Sequence, residues 1–252
     1  MKELHPEILE AIEIAARFGF ISQEIFFKFV TSRRRTMAYF IWRELLKTRY
    51  FERYNQSTIP NSYLKLSPYG KSENDIRGKF ISMPTPSPQQ LSHDEILLRF
   101  ALQNEKKGFF EYALTESCSK YNGLFAQHFV ARNLKYPDLQ FGLGSGSREF
   151  KVALELERTR KSNLRYQMNL LSYSVHKQVD LVIYVTSHET IERSIKNAAL
   201  KIKYPSDKKP LAFVKMKDFI SSPTTFPIQL GDRDMKFDEL VQRLKQEKSV
   251  AA

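Results

Sequence analysis

Three acidic residues in the second half of the chain have the types and the spacing of a divalent metal site. Asp138 stands at the start of one predicted strand, and Glu155 and Glu157 share one face of the next, about 7 Å apart at 3.3 Å per residue. If the two strands pair as a hairpin, the three carboxylates converge. Mg²⁺ and Mn²⁺ prefer such oxygen ligands, and either ion can activate a bound water and stabilise charge on a phosphoryl oxygen. The alternative is a surface strand whose acids pair with the many bases nearby.

The strand that carries the two glutamates is predicted by a regular alternation over residues 149–157. Side chains two residues apart point to the same face of a strand, so the pattern separates an apolar face from a mixed one. The two faces are Phe150, Val152, Leu154 and Leu156 on one side, and Lys151, Ala153, Glu155 and Glu157 on the other.

The surrounding pattern predicts an α/β domain with a mixed sheet. Residues 180–185 form a continuous apolar run, which is typical of a strand buried on both faces. A helix is predicted over residues 159–176, with its apolar side formed by Leu164, Met168, Leu171 and Val175. The other predicted elements are a helix opening at residues 91–94 with Ser92 as N-cap and Glu95 in the capping-box position, a strand at 109–115, an amphipathic stretch at 123–132, a helix at 189–200, a strand at 211–216 and a helix at 237–248.

The first part of the chain predicts three helices followed by a hairpin. Helical spacing covers residues 6–18, where Gly19 ends the helix, and Ser22 is a good N-cap for residues 23–30. A third helix is predicted over residues 33–48, with a core stripe of Met37, Phe40, Ile41 and Leu45. Two strands follow at residues 50–54 and 63–66. Three helices and a two-stranded wing are the pattern of a winged helix-turn-helix.

The third helix of this module is the expected recognition helix for DNA. Basic residues at the N-terminal end of such a helix meet phosphates and base edges. The expected contacts are Arg33, Arg34, Arg35, Thr36 and Arg43. The alternative is that these arginines are solvated charges on an ordinary helix, or that the module binds protein.

A proline-rich segment predicts the domain boundary. Pro84, Pro86 and Pro88 stand at alternate positions, and each removes a backbone donor and restrains the residue before it. We therefore expect an extended linker over residues 84–90, a DNA-binding module over 1–83 and a larger domain over 91–252.

Composition favours a polyanionic partner such as nucleic acid. The 252 residues include 40 Lys and Arg against 28 Asp and Glu, a net charge of +12, with a pI near 9.6. Residues 1–83 carry an excess of five positive charges and the remainder an excess of seven, so both parts are basic. The single cysteine, Cys118, cannot form an internal disulfide, and no apolar run approaches the roughly 20 residues of a spanning helix. These features predict a cytoplasmic protein without membrane insertion.

The order of these motifs resembles a known class of nucleases. The sequence Pro137-Asp138, about sixteen residues of strand and turn, and then Glu155-Leu156-Glu157 between two helices is similar to the PD-(D/E)xK nuclease core, which has the order α-β-β-β-α-β. Together with the N-terminal winged helix, the whole chain resembles the replication-relaxation proteins and the MobC-type relaxases of mobilisable plasmids. The resemblance implies a restriction-endonuclease-like second domain and a metal, Mg²⁺ or Mn²⁺, on Asp138, Glu155 and Glu157.

One position departs from the nuclease pattern. The pattern places Lys two residues after its Glu, where this chain has Glu157. Lys161, one turn into the next helix, could take over the role, and Lys151 on the strand face of the glutamates is a second candidate. In the resemblance, the helix that carries His93 borders the active site, so His93 is a candidate ligand or proton carrier. A helix-capping or surface role for His93 is the alternative.

The resemblance implies a nicking enzyme that acts at a plasmid transfer origin on double-stranded DNA. A coupling protein and accessory relaxosome proteins are the further partners it implies. The missing lysine favours a second hypothesis, a non-catalytic replication or transcription regulator with a degenerate nuclease fold. A conventional restriction-type nuclease is the third.

Overall fold

The computed structural model describes residues 5–54, 62–77, 82–121, 135–143, 150–177 and 179–250. The chain divides into two compact units, Met1–Arg99 and Phe100–Ala252, and is of mixed α/β structure. The predicted amphipathic stretch at residues 123–132 lies outside the described residues.

The first unit contains short helices and a small antiparallel sheet with the strand order β1-β3-β2. The helices are α1 (Pro6–Phe18), α2 (Gln23–Ile25), a π-helical segment (Phe26–Val30), α3 (Arg35–Leu45) and α4 (Pro68–Arg77). The strands are β1 (Ile21–Ser22), β2 (Phe51–Arg53) and β3 (Tyr63–Leu66).

Local sequence explains the first turns of this unit. Gly19 ends α1 at φ 82°, a left-handed conformation that favours glycine, and its N–H donates to Ala15 O. A side chain at this position would also lie 2.3 Å from the carbonyl oxygen of Pro84. Ser22 caps α2, because its hydroxyl accepts from the N–H of Ile25. Both predicted helix boundaries, at Gly19 and at Ser22, are confirmed.

The predicted core stripe of α3 is confirmed for Leu45 and wrong for Met37 and Phe40. The helix buries Ala38, Trp42 and Leu45, and the Trp42 ring packs 5.5 Å from that of Phe26. Met37 and Phe40 are exposed instead. Both stripes have helical spacing, and the one that contains the large Trp42 ring faces the core.

The proline-rich segment packs against the first unit. Met83 is buried, and its N–H donates to Ala16 O at 2.7 Å. Helix α5 (Pro88–Lys106) begins three residues before the predicted start, so Ser92 lies inside the helix and is not its N-cap.

The division between the two units falls inside α5, later than residues 84–90. Glu95 accepts hydrogen bonds from Ser22 Oγ, at 2.6 Å, and from the hydroxyl of Tyr63, which tie the first half of the helix to β1 and β3. Phe100, in the second half, belongs instead to a phenylalanine cluster of the second unit.

The second unit is built on a seven-stranded mixed sheet in the order β10-β9-β8-β7-β6-β5-β4. The strands are β4 (Phe110–Thr115), β5 (Leu139–Leu143), β6 (Phe150–Glu157), β7 (Leu181–Thr186), β8 (Leu211–Lys215), β9 (Pro227–Leu230) and β10 (Arg233–Lys236). The helices after α5 are α6 (Glu116–Tyr121), α7 (Asn163–Val175), α8 (Glu189–Lys201), α9 (Met216–Ser221) and α10 (Phe237–Val250).

The three central strands are parallel, and the strands on each side of them pair antiparallel. Strands β6, β7 and β8 are parallel, and β5 pairs antiparallel with β6, with Leu139 opposite Leu154, so the condition for the convergence of the acids is met. Helix α7 connects β6 to β7 and begins at Ser162, whose hydroxyl accepts from the N–H of Arg165. This hairpin and this helix position the acidic residues.

Both faces of the sheet are covered. One face packs against a cluster of phenylalanines, namely Phe100, Phe110, Phe141, Phe219, Phe226 and Phe237. The other face packs against α7 and α8 through residues that include Ala153, Tyr166, Tyr173, Tyr184 and Ile195. Strand β6 is therefore buried on both sides, so the alternative of a surface strand is wrong for Glu155 and Glu157, although both acids do pair with lysines.

The predicted orientation of α7 is also wrong. Leu164, Met168, Leu171 and Val175 are 65%, 62%, 49% and 65% exposed. The buried side carries Tyr166, Leu170 and Tyr173. No helix within the described ranges is both long enough and apolar enough to cross a membrane.

Candidate functional site

Asp138 and Glu155 come together at the open end of the β5–β6 hairpin. The register that pairs Leu139 with Leu154, extended by one residue, places Asp138 beside Glu155. The Asp138 carboxylate accepts a hydrogen bond from the backbone N–H of Leu156 at 2.8 Å. Asp138 is thereby fixed against the strand that carries the two glutamates.

A lysine that the sequence did not single out lies between these two acids. Lys135 Nζ donates a hydrogen bond to Glu155 Oε2 and lies 3.9 Å from Asp138 Oδ1. Its backbone N–H donates to Ser172 Oγ on α7 at 2.7 Å. One ammonium group therefore occupies the point toward which both carboxylates are directed.

Glu155 is completely buried, and its second oxygen accepts a hydrogen bond from the hydroxyl of Tyr173. Burial and the nearby Asp138 charge raise the pKa of Glu155 to about 7, against the opposing effects of Lys135 and Tyr173. Burial alone would lower the pKa of Lys135, but the charges of Glu155 and Asp138 raise it. Burial and the Glu155 charge raise the pKa of Tyr173 well above its ordinary value.

Glu157 forms a separate ion pair on the same strand face. Its Oε1 lies 2.6 Å from Lys161 Nζ, and the glutamate side chain is 1% exposed. The backbone N–H of Lys161 donates to the hydroxyl of Tyr166 at 3.0 Å, which anchors the turn before α7. Lys161 thus reaches back to the strand, as its position in the sequence suggested.

Lys151 lies away from the carboxylates. It precedes Glu155 by four residues, about 13 Å along the strand at 3.3 Å per residue. Its N–H donates to the carboxylate of Asp180 at 2.8 Å. The structure therefore brings Lys135 and Lys161, but not Lys151, to the acids.

The donor set suits a hard cation only in part. Asp138 and Glu155 supply carboxylate oxygens around one point, whereas Glu157 is engaged with Lys161. In the part of the chain that the structure describes, no group of three His, Cys, Asp or Glu side chains could hold a metal ion. Asp138, Lys135 and Lys161 are 15%, 21% and 22% exposed, so solvent reaches the cluster through these three side chains.

The predicted DNA contacts lie around the start of α3. Arg34, Arg35, Thr36 and Arg43 are exposed. Arg33 has a structural contact, because its Nε donates to Glu7 Oε1 at 2.8 Å. Burial alone would raise the pKa of Glu7, but hydrogen bonds from Arg33 and Thr31 lower it.

His93 and Glu95 belong to the first unit. The imidazole Nδ1 of His93 lies 2.9 Å from Asp94 Oδ1. Glu95 accepts from Ser22, Tyr63 and Arg99, and these bonds lower its pKa although burial alone would raise it. Through Ser22 and Tyr63, Glu95 joins α5 to the small sheet, which is a structural role.

Sequence reasoning missed Lys135, although a signal was present. Lys135 precedes Asp138 by three residues in the segment Lys135-Tyr136-Pro137-Asp138, where a basic and an acidic side chain can meet.

No protein family model, no curated protein and no solved structure matches this chain.

Proposed function

We propose that this protein binds DNA through its first unit and nicks a phosphodiester bond at the acid–lysine cluster of its second unit. The observation that carries the proposal is the convergence of Asp138 and Glu155 on one cation position, held by Lys135 Nζ. Two carboxylates and two partly exposed lysines are a chemically suitable set for a phosphate group.

The element order supports the proposal. After the second half of α5, the described elements of the second unit are β4, α6, β5, β6, α7 and β7 in that order, with α6 inserted between β4 and β5. This is compatible with the α-β-β-β-α-β order that the sequence resemblance implied. In the first unit, α1, the continuous stretch of α2 and the π-helical segment, and α3 precede the β2–β3 hairpin.

Asp138 and Glu155 would hold the metal, and the lysines would act on the phosphate. When bound, Mg²⁺ or Mn²⁺ would polarise a phosphoryl oxygen and lower the pKa of a water. Lys135 would leave the carboxylates and, together with Lys161, would neutralise negative charge that develops on the phosphate. Lys161 then supplies the positive charge that the nuclease pattern places where this chain has Glu157.

A specific observation favours the alternative of a non-catalytic DNA-binding regulator. Both glutamates are already neutralised by lysines, and neither has a side chain open to solvent. Buried ion pairs of this kind stabilise or specify a fold without any catalytic role.

The test begins with duplex DNA selected from a random-sequence pool by the full chain. The selected sequence is cloned into a supercoiled plasmid and incubated with the protein and Mg²⁺ or Mn²⁺. We expect an open-circular product, lost in Glu155→Gln and Asp138→Asn. Glu189→Gln is the matched control, because Glu189 is 77% exposed and lies on α8.

The products separate the hypotheses. A nick that both site variants lose, and the control keeps, supports the proposal. A linear product indicates a restriction-type nuclease, and binding without cleavage under either metal indicates the regulator. Nicking restricted to one strand at the selected sequence would further support action at a plasmid transfer origin, with a coupling protein and relaxosome proteins as partners.

A further inference from the structure

Helix α3 exposes three large apolar side chains on its outer side. Phe40 is 58% exposed, Tyr39 52% and Met37 48%. Large apolar side chains such as these usually enter the core of a small domain, because burying each one is favourable. Their joint exposure on one helix therefore marks a contact surface.

Phe40 lies at the centre of this surface. At 100° per residue, Thr36, Phe40 and Arg43 fall on one line along the helix, and Met37 and Tyr39 lie on its two sides. The opposite side carries the buried Ala38, Trp42 and Leu45. We call the five exposed residues, Thr36, Met37, Tyr39, Phe40 and Arg43, the α3 face.

The charges around the α3 face are basic. Arg34 and Arg35 are exposed at the start of the helix, and Arg43 lies within the face. The one acidic residue of α3, Glu44, is paired with Lys47 at 2.7 Å. A partner must therefore be anionic at its edges and offer apolar groups to Phe40 and Met37.

Duplex DNA has both properties in its major groove. Phosphates line the groove, and each thymine presents its 5-methyl group there, where apolar side chains contact it. The major groove of B-form DNA also admits an α-helix, whereas that of duplex RNA is too deep and narrow. The helix, its arginines and its apolar centre all match this one occupant.

We propose that the α3 face binds in the major groove of duplex DNA and contacts thymine methyl groups through Phe40 and Met37. Arg34, Arg35 and Arg43 hold the flanking phosphates. The inference rests on the proposed DNA binding by the first unit, and it adds which bases that unit selects. The sites it prefers contain A·T pairs.

The test compares thymine with uracil, which lacks only the methyl group. A duplex selected by the full chain is made in two forms, with every thymine kept or replaced by deoxyuridine, and binding is measured by fluorescence anisotropy. We expect uracil to weaken binding of the unaltered protein about fourfold for each methyl that is contacted. Phe40→Ala and Met37→Ala should each lose about fourfold of this preference, and the double variant Phe40→Ala with Met37→Ala should bind both duplexes with nearly equal affinity.

Controls separate this contact from other effects. Any change that uracil makes in duplex shape acts on all variants alike, so the comparison between variants isolates the side chain. Ile220→Ala is the matched control, because Ile220 is 52% exposed and lies in the second unit. It should keep the full preference for thymine, and circular dichroism should show all variants folded.

The outcomes are distinguishable from a failure of the proposed function. A preference for thymine that each single α3 variant reduces and the double variant loses supports the inference. DNA binding with no preference for thymine, or with a preference that the double variant keeps undiminished, overturns the inference and leaves the proposed function standing. Absence of any DNA binding by the unaltered protein overturns both.

Discussion

Lys135 Nζ donates a hydrogen bond to Glu155 Oε2, and the carboxylate that accepts it is completely buried. The same ammonium lies 3.9 Å from Asp138 Oδ1. Two negative charges therefore share one positive charge where the interior strand β5 begins, and we expect the stability of the second unit to depend on that balance.

Replacing Lys135 by Met should destabilise the protein by about 3–5 kcal/mol, because it leaves a buried acid pair without its cation. Urea unfolding at pH 8 measures the change. Adding Glu155→Gln to the same chain should restore most of the loss. Lys151→Met is the control, and a Lys135→Met protein as stable as the control would contradict the ion pair.

Removing the Lys135 side chain should also make the site accept a divalent cation. In Lys135→Ala, Asp138 and Glu155 remain directed at one point, so Mn²⁺ should raise the melting temperature of the variant more than that of the unaltered protein. Each kcal/mol of binding corresponds to roughly 2–4 °C in a chain of this size. The combined variant Lys135→Ala with Glu155→Gln should lose the effect, and an equal Mn²⁺ shift in both would place the ion elsewhere.

The sequence predicted the strands of the site but not its burial. Alternation along β6 correctly assigned Glu155 and Glu157 to one face, and the pairing of β5 with β6, which the sequence left as a condition, is present. Alternation is the same whether the polar face meets water or a helix, so it did not show that α7 covers both glutamates. Lys135 lies outside any regular element, and no periodic pattern marks it.

The buried faces of α3 and α7 were predicted incorrectly, because each helix carries two apolar stripes. In α7, the aliphatic stripe through Met168 was expected inside, but the tyrosine stripe is buried. Tyr173 and Tyr166 can be buried because their hydroxyls bond to Glu155 and to the N–H of Lys161. The choice between the stripes thus depends on polar partners that are distant in sequence.

Matched truncations on α7 test this orientation. Leu170→Ala removes a fully buried side chain and should cost about 2–5 kcal/mol. Met168→Ala, at a position 62% exposed, should change stability by less than about 0.5 kcal/mol. Chemical denaturation of both variants under one condition gives the comparison, and the reverse order would show that the aliphatic stripe faces the sheet.

His176 gives the second unit a defined sensitivity to acid. Its side chain is 2% exposed at the C-terminal end of α7, where Lys209 Nζ donates to the carbonyl of Tyr173 at 3.0 Å and to that of His176. Burial, with the charges of Lys209 and Lys151, lowers the pKa of His176 to about 4. The imidazole is therefore neutral in the folded protein at pH values where it is protonated in the unfolded chain.

Between pH 6.5 and pH 4 the unfolded chain binds the additional proton, so the stability that His176 contributes is complete above pH 6.5 and is lost as the pH falls toward 4. The loss amounts to about 3 kcal/mol for a shift of this size. His176→Gln should have a correspondingly flatter dependence of unfolding free energy on pH over this interval, whatever its stability at pH 7. His188→Gln is the control for a histidine replacement at an exposed position. Parallel curves for His176→Gln and the unaltered protein would mean that the imidazole is as easily protonated in the folded chain as in the unfolded one.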